Sequence, residues 1–184
     1  MRILHASDRI STPWKNGGGT TTEVAVHPPG AGFEDFGWRV SIADVRQGGP
    51  FSQFPGIERC LAVLEGEMSL TIANRSPVMV SPATPSAIFS GDDRTDATLI
   101  GGAVVDLNVM TRRGAFAAKA AKHTLTGART FKAATTTIVL ALSPFAIGSH
   151  SLNARDAVQM ETGEEISFPA GSHFYWIEIF LQNL

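Results

Sequence analysis

The sequence predicts an all-β protein made of two small barrel halves. Short segments rich in β-branched and aromatic residues recur at intervals of roughly 8–12 residues, which is typical of sandwiches and barrels. The 18 glycines and 10 prolines lie mostly between these segments, where they favour turns. Only Arg112–His123 is alanine-rich enough to suggest a helix, and Gly114 inside it favours a short helix or irregular structure.

The predicted strands follow one another along the chain. Each is short, carries β-branched or alternating apolar residues, and is bounded by glycine or proline. In order they are Thr21–Val26, Trp38–Val45, Glu58–Gly66, Met68–Ala73, Ala87–Ser90, Thr98–Met110, Thr136–Leu142, Asp156–Met160, Glu164–Phe168 and Phe174–Leu181.

Two stretches of the chain repeat one order of elements. Val63–Phe89 and Val158–Ile179 both run strand, glycine turn, strand, proline loop, strand, which is the order along one face of a jelly-roll barrel. We therefore expect residues 1–110 to form an N-terminal barrel that holds a ligand pocket. Residues 111–184 are expected to form a linker, up to residue 135, and a second, smaller half.

Composition excludes several classes of partner. The net charge of −2, without a basic stripe, gives no attraction for nucleic acid or an anionic membrane. The longest apolar run, Ile138–Leu142, is too short to span a bilayer, and the first residues lack the features of a targeting segment, so we expect a cytoplasmic location. The single cysteine, Cys60, forms no internal disulfide and is interpreted as a buried, inert thiol.

Metal and hydrolase motifs are missing from the sequence. The five histidines are far apart, no H-x-H or H-E-x-x-H motif occurs, and there is one cysteine, so we expect neither a metal nor another cofactor. The alternative is a two-histidine, one-carboxylate site assembled from distant strands. There is no G-x-S-x-G motif, and nothing points to a Ser–His–Asp triad.

The stretch TPWKNGGGTTTE resembles a phosphate-binding loop only in its glycines. Lys15 precedes the glycines and no helix follows, whereas both a P-loop and a dinucleotide turn lead into a helix. Two interpretations remain. The stretch is either a surface loop or a place where bare backbone approaches a ligand, with Trp14, Lys15 and Asn16 as side-chain contacts.

Strand alternation groups polar residues on common faces. Arg39 shares a face with Ser41, and Asp106 shares one with Asn108. Such faces are either solvent-exposed or line a barrel interior, and alternation alone does not separate the two. If Arg39 and Arg59 face one cavity, they suit the carboxylates of an acidic metabolite; if they face solvent, they are ordinary surface charges.

Three blocks of sequence resemble the HutD/Ves family in order and spacing. They are PWKNGGGTTTEVAV, WRVSIADVRQGGPFSQFPGIERCLAVLEG and DLNVMTRRG, which together extend to Gly114. The resemblance implies a cupin-type β-barrel or jelly roll in two halves, a bicupin-like chain. The HutD branch is associated with bacterial histidine utilisation, in which binding of a pathway metabolite, with N-formylglutamate the favoured candidate, is proposed to regulate flux. The Ves branch is linked to stress responses.

The resemblance also implies a set of ligand-binding residues. They are Trp14, Lys15, Asn16, Gly17, Gly18, Gly19, Thr20, Glu23, Arg39, Ser41, Ser52, Phe54, Arg59, Asp106, Asn108 and Arg112. On this basis the arginines hold carboxylates, the amide and hydroxyl groups bind a formyl or amide group, and Trp14 and Phe54 form apolar walls. Glu23 and Asp106 orient the arginines.

The sequence therefore favours a regulatory protein that binds a small-molecule carboxylate, with no catalytic residue assigned. The alternative is a metal-independent cupin enzyme, an isomerase or hydrolase, with Glu23 or Asp106 as general base. A third hypothesis is an interaction module or homodimer that pairs through the apolar segment FYWIEIFLQNL.

Overall fold

The computed structural model describes residues 1–182 and confirms the all-β prediction. One short 3-10 turn, Ala6–Asp8, accompanies the strands. The strands are β1 (Arg2–Leu4), β2 (Ser11–Pro13), β3 (Gly19–His27), β4 (Trp38–Val45), β5 (Gly49–Pro50), β6 (Ile57–Ile72), β7 (Val78–Val80), β8 (Ala87–Ser90), β9 (Thr95–Arg112), β10 (Phe116–Thr124), β11 (Arg129–Lys132), β12 (Thr136–Ala141), β13 (Phe145–Ile147), β14 (His150–Leu152), β15 (Ala157–Met160), β16 (Glu165–Phe168) and β17 (His173–Leu181).

The chain divides into two compact units. We call Ile10–Ala117, with Gln182, the first unit, and Met1–Arg9 with Ala118–Leu181 the second unit. The expected halves, 1–110 and 111–184, stay a prediction, and these units differ from them by placing the first nine residues with the C-terminal part. Pairing of β1 with β15, a hydrogen bond from the Ala6 amide to the Asp156 carboxylate and one from Arg9 Nη1 to the Arg155 carbonyl hold these nine residues there.

The first unit is an antiparallel sheet with strand order β2-β3-β4-β9-β6-β7, in which β5 also pairs with β9 and β8 with β6. The two long strands β6 and β9 pair from Ile57 opposite Arg112 to Ile72 opposite Thr95. The register shifts between Val63 and Glu67, where Gly66 has a φ of +79°. Glu58–Gly66 and Met68–Ala73 are therefore parts of one strand with an irregularity at the glycine, because β9 pairs along both.

The second unit contains a five-stranded sheet, β1-β15-β12-β17-β10, and the two-stranded sheets β11-β16 and β13-β14. Its core is aromatic and aliphatic. Phe168 stacks on Phe174 with ring centroids 4.0 Å apart, and Phe131 and Trp176 pack beside them.

The expectation of a helix or irregular linker around Arg112–His123 is wrong. Phe116–Thr124 is a strand at the edge of the five-stranded sheet, and Arg129–Lys132 is a second strand within the expected linker. Alanine and lysine favour helices by only tenths of a kcal/mol each, roughly, whereas pairing with β17 satisfies a row of backbone hydrogen bonds. Gly114, with a φ of +79°, lies in the turn between β9 and β10.

The apolar strand β17 has neighbours on both sides, β12 and β10. Pairing of the segment FYWIEIFLQNL with another chain stays a prediction, and the last two residues of that segment lie outside the described part of the chain. The structure also contains, within residues 1–182, no helix that is long and apolar enough to cross a bilayer.

Candidate functional site

The central strands of the first unit bring five buried polar side chains to one face. Glu23 lies opposite Ser41, Ser41 opposite Asn108, and in the next row Arg39 and Arg59 both lie opposite Met110. Directly opposed residues of antiparallel strands point to the same side of the sheet. The buried polar residues of this face are Arg39, Ser41, Arg59, Asp106 and Asn108.

This polar face lies between two apolar clusters. Ala43, Leu61 and Val63 continue the same strand faces on one side, and Ile57 and Met110 do so on the other. Burial thus decides between the two interpretations of the alternation: these groups belong to the interior of the unit and are not a solvated surface.

Arg59 is held by a chain of buried hydrogen bonds. Its Nε and Nη2 donate to Oδ1 of Asn108, at 3.2 and 2.9 Å, and Nδ2 of Asn108 donates to Oδ1 of Asp106 at 3.0 Å. Its Nη1 donates to the backbone carbonyl of Ser52 at 3.4 Å. Ser52 therefore contributes a main-chain oxygen to the network.

Burial perturbs both charges of this network. It lowers the pKa of Arg59 to about 10, an effect that Asp106 opposes. It raises the pKa of Asp106 to about 6, although Arg59 and the hydrogen bond from Asn108 act in the other direction. At neutral pH Arg59 carries its charge and Asp106 is mainly ionised, so the pair is a buried ion pair bridged by an amide.

Three aromatic rings surround the Arg59 guanidinium. Its Cζ lies 4.9 Å from the ring centre of Phe51, 5.7 Å from that of Phe54 and 5.1 Å from that of Phe89. Aromatic faces attract cations, most strongly where water is excluded. Sequence reasoning selected Phe54 and missed Phe51 and Phe89 as site residues, since only the pairing of β8 with β6 puts Phe89 opposite Arg59.

Arg39 has a poorer set of partners than Arg59. Its Nε lies 3.3 Å from Oε2 of Glu23, yet this contact lacks hydrogen-bond geometry, and Nε has no hydrogen-bond partner within residues 1–182. The ring of Phe33, a residue that sequence reasoning missed, lies 4.2 Å from Cζ of Arg39. Burial lowers the pKa of Arg39, and Glu23 opposes that effect.

Arg112 supports the loop that carries Phe33. Its Nε donates to the carbonyl of Phe36 at 3.1 Å, and its Nη2 donates to the carbonyl of Glu34 at 3.0 Å. These bonds connect the end of β9 to the β3–β4 loop. The predicted role of Arg112 in ligand binding stays a prediction, and its observed contacts position the loop.

The glycine stretch is the hairpin between β2 and β3. Gly17 has a φ of +71°, and a Cβ on Gly19 would clash with the carbonyl oxygen of Asp44. Trp14 Nε1 donates to Oγ1 of Thr21 at 2.8 Å, and Oδ1 of Asn16 accepts from the Gly18 amide at 3.0 Å. The glycines thus shape the turn and its contact with β4.

The hairpin side chains are separate from the arginine network. Lys15 and Asn16 are exposed. Thr20 lies opposite Asp44, so its side chain is on the other side of the sheet from the polar face. Among the described residues, no hydrogen bond or ion pair joins Trp14, Lys15, Asn16 or the three glycines to Arg39 or Arg59. Their role in ligand binding stays a prediction.

The chemistry available at this site is anion recognition. Two arginines project from strands two places apart in the sheet, which separates their Cα atoms by roughly 10 Å. Asp106 is 1% exposed and bonds to Asn108, so it acts through that amide, whereas the Glu23 side chain is 39% exposed and open to contact. In the described part of the chain no three His, Cys, Asp or Glu side chains lie close enough to hold a metal ion.

Comparison with known proteins identifies relatives of this chain. The HutD family model matches residues 6–175. A 21.2 kDa protein in the hutC 3′ region of Pseudomonas putida is 37% identical over 110 residues, which are 60% of this chain and 57% of that protein. Protein Ves of Citrobacter koseri is 43% identical over 108 residues, 58% of this chain and 55% of Ves. The matched part thus spans little more than half the length of these curated relatives.

Solved structures extend the likeness to the whole chain. HutD from Pseudomonas fluorescens SBW25, in a formate condition, superposes with a TM-score of 0.85 at 29% identity and covers 99% of both chains. A cupin 2 conserved barrel domain protein from Leptotrichia buccalis superposes with a TM-score of 0.59 at 7% identity, covering 98% of this chain and 96% of that one. The second likeness concerns the fold alone, which is of the cupin type.

Proposed function

Since this chain belongs to the HutD family, which is associated with histidine utilisation, we propose that it is a cytoplasmic protein that binds a small carboxylate metabolite and regulates that pathway. The proposal agrees with the chemistry of the site. Two arginines share the interior face of the first unit, and the donors beside them are an amide and a hydroxyl.

The single observation that carries the proposal is the incomplete pairing of Arg39. Burying a charged group costs several kcal/mol, roughly, unless hydrogen bonds and an opposite charge compensate. Arg39 is 8% exposed, its Nε lacks a hydrogen-bond partner among the described residues, and its one ion pair is with a half-exposed glutamate. A ligand carboxylate would supply the acceptor that this arginine lacks.

N-formylglutamate is the candidate ligand because its groups match the site. Its two carboxylates suit the two guanidinium groups, which present planar pairs of N–H donors. Its formyl amide can bond with Ser41 and Asn108, which lie in the row next to that of Arg39 and Arg59 on the polar face. The rings of Phe51 and Phe54 would pack against the carbon chain.

Isothermal titration tests the proposal with N-formylglutamate, glutamate and urocanate. We expect N-formylglutamate to bind and Arg39→Gln to weaken its binding by tenfold or more, since one charge-assisted hydrogen bond is worth about 1.5–3 kcal/mol. The matched control is Arg75→Gln, because Arg75 is an exposed arginine of the same unit. No binding of any of the three compounds at millimolar concentration contradicts the proposal.

A second candidate function is metal-independent catalysis, and the environment of Asp106 is the observation that favours it. Burial raises the pKa of Asp106 to about 6, which is suited to proton transfer near neutral pH. Turnover of a bound metabolite that is lost in Asp106→Asn or in Glu23→Gln, with the fold intact, would favour catalysis. Binding without turnover favours the regulatory role.

A further inference from the structure

The two interior arginines differ in how far the protein satisfies them. Arg59 donates three hydrogen bonds, to Asn108 and to Ser52, and three aromatic rings surround it. Among residues 1–182, Arg39 has one poorly aligned carboxylate contact and one aromatic ring over its guanidinium. Of the two arginines, Arg39 is therefore the one whose Nε still lacks a hydrogen-bond acceptor among the described residues.

The open end of the site is at Arg39. The Phe33 ring over its guanidinium belongs to a residue that is 55% exposed, and the Glu23 side chain is 39% exposed. By contrast, Asn108 and Asp106 behind Arg59 are buried. A ligand that enters from solvent meets the Arg39–Glu23 pair first.

A strand irregularity fixes Glu23 beside Arg39. The register of β3 against β4 shifts between Glu23 and Ala25, so that Glu23 pairs with Ser41 and Ala25 with Val40. Glu23 thus lies on the same face of the sheet as Arg39, in the row of residues next to that of Arg39. Its carboxylate is close to the guanidinium but is not aligned to satisfy it, because the contact lacks hydrogen-bond geometry.

We propose that Glu23 is a specificity-determining residue: with Arg39 it selects a ligand that carries a carboxylate and, on the adjacent carbon, an N–H donor. The ligand class is thus an α-amino acid or an N-acyl amino acid. The inference rests on the proposed function and narrows its ligand. The ligand carboxylate replaces Glu23 on Arg39, and Glu23 turns to accept the N–H.

Charge decides the selectivity. A dicarboxylate without nitrogen brings an anion next to Glu23 and offers that carboxylate no donor, so it meets uncompensated repulsion. An N–H beside the ligand carboxylate converts the same contact into a hydrogen bond to a charged acceptor, worth about tenfold or more in affinity. A site that hydrogen-bonds one polar group discriminates against an analogue lacking it, because its own acceptor then loses a partner.

Titration of the full chain with three probes that share a five-carbon dicarboxylate skeleton tests the inference. Glutarate has both carboxylates and no nitrogen, L-glutamate has an ammonium group, and N-formyl-L-glutamate has an amide N–H. We expect at least one nitrogen-bearing probe to bind about tenfold more tightly than glutarate. The probe that binds more tightly distinguishes a free amino acid from an N-acyl amino acid.

The variant Glu23→Gln provides the decisive comparison, with Glu67→Gln as the matched control because Glu67 is an exposed glutamate on a strand of the same unit. We expect Glu23→Gln to bind glutarate more tightly and to lose most of the preference for the nitrogen-bearing probe, while Glu67→Gln keeps it. The wild-type preference can be measured even if the variant folds poorly.

The outcomes separate the inference from the function on which it rests. Equal binding of all three probes by the wild-type protein, or a preference that Glu23→Gln leaves unchanged, overturns the inference and leaves carboxylate binding intact. No binding of any probe overturns the proposed function and the inference together.

Discussion

The two units of this chain have cores of opposite character. The first unit buries Arg39, Arg59 and Asp106 on one strand face, whereas the second packs Phe168, Phe174 and their apolar neighbours. The buried polar side chains of the second unit have partners within that unit: Thr137 and Ser172 donate to carbonyls two and three residues away, and the Asp156 carboxylate accepts from the amides of Ala6 and Asn153. Among the described residues the first unit thus buries three charged side chains on one strand face, whereas the second buries one, Asp156, and this difference directs the search for a ligand to the first unit.

The largest effect is expected from breaking the apolar core. Phe174→Ala removes a ring that stacks on Phe168 at 4.0 Å and contacts Phe131 and Phe145. Because Phe174 is fully buried and its removal leaves a cavity in this core, we expect the free energy of unfolding to fall by about 3–5 kcal/mol. Urea denaturation measures it. Ligand affinity of the folded protein should not change. A large loss of affinity would contradict the assignment of ligand binding to the first unit.

The next largest effect on stability is expected when buried charges of the first unit are replaced by apolar side chains like those in the core of the second unit. Arg59→Met leaves Asp106 buried beside Asn108 without its opposite charge, so we expect a loss of about 3 kcal/mol in unfolding free energy. The double variant Arg59→Met, Asp106→Leu removes both charges and should regain most of that loss, while abolishing ligand binding. A double variant as unstable as the single one would mean that the network stabilises this core.

The buried carboxyl also predicts a pH dependence peculiar to the first unit. Burial raises the pKa of Asp106 from its ordinary 3.8 to about 6, so the folded protein keeps this proton where the unfolded chain has lost it. The stability from this group is therefore present below about pH 4 and is lost as the pH rises through about 6, a change of about 2–3 kcal/mol. Urea titrations should show wild type losing stability relative to Asp106→Asn over this window. A constant difference between the two proteins would contradict the shift.

The smallest effect tests how far the site extends toward the glycine hairpin. Gly17→Ala places a side chain at a φ of +71°, and we expect a loss of about 1 kcal/mol in unfolding free energy. Since Gly17 is exposed in the β2–β3 turn, ligand affinity should remain at the wild-type value. Lys15→Ala is the companion variant, and a tenfold loss of affinity in it would extend the site to the hairpin.

Local sequence determined most of the strands. Trp38–Val45 is found with its predicted bounds, and its alternation correctly groups Arg39 with Ser41, because side chains point to alternate sides of any extended chain. The strand Phe116–Thr124 was missed, since its alanines carry a helical preference that pairing with β17 overrides.

Only the tertiary structure decided what the polar faces do. Arg59 meets Asn108 across 49 residues of chain, and Phe89 reaches Arg59 through the pairing of β8 with β6. No local pattern encodes such meetings, because they depend on the register between strands that are distant in sequence. The sequence by itself determined which residues share a side of each strand. Folding determined that the strand sides bearing Arg39 and Arg59 face inward. In that low-dielectric interior, each hydrogen bond or ion pair that these charged groups form is stronger than it would be in water.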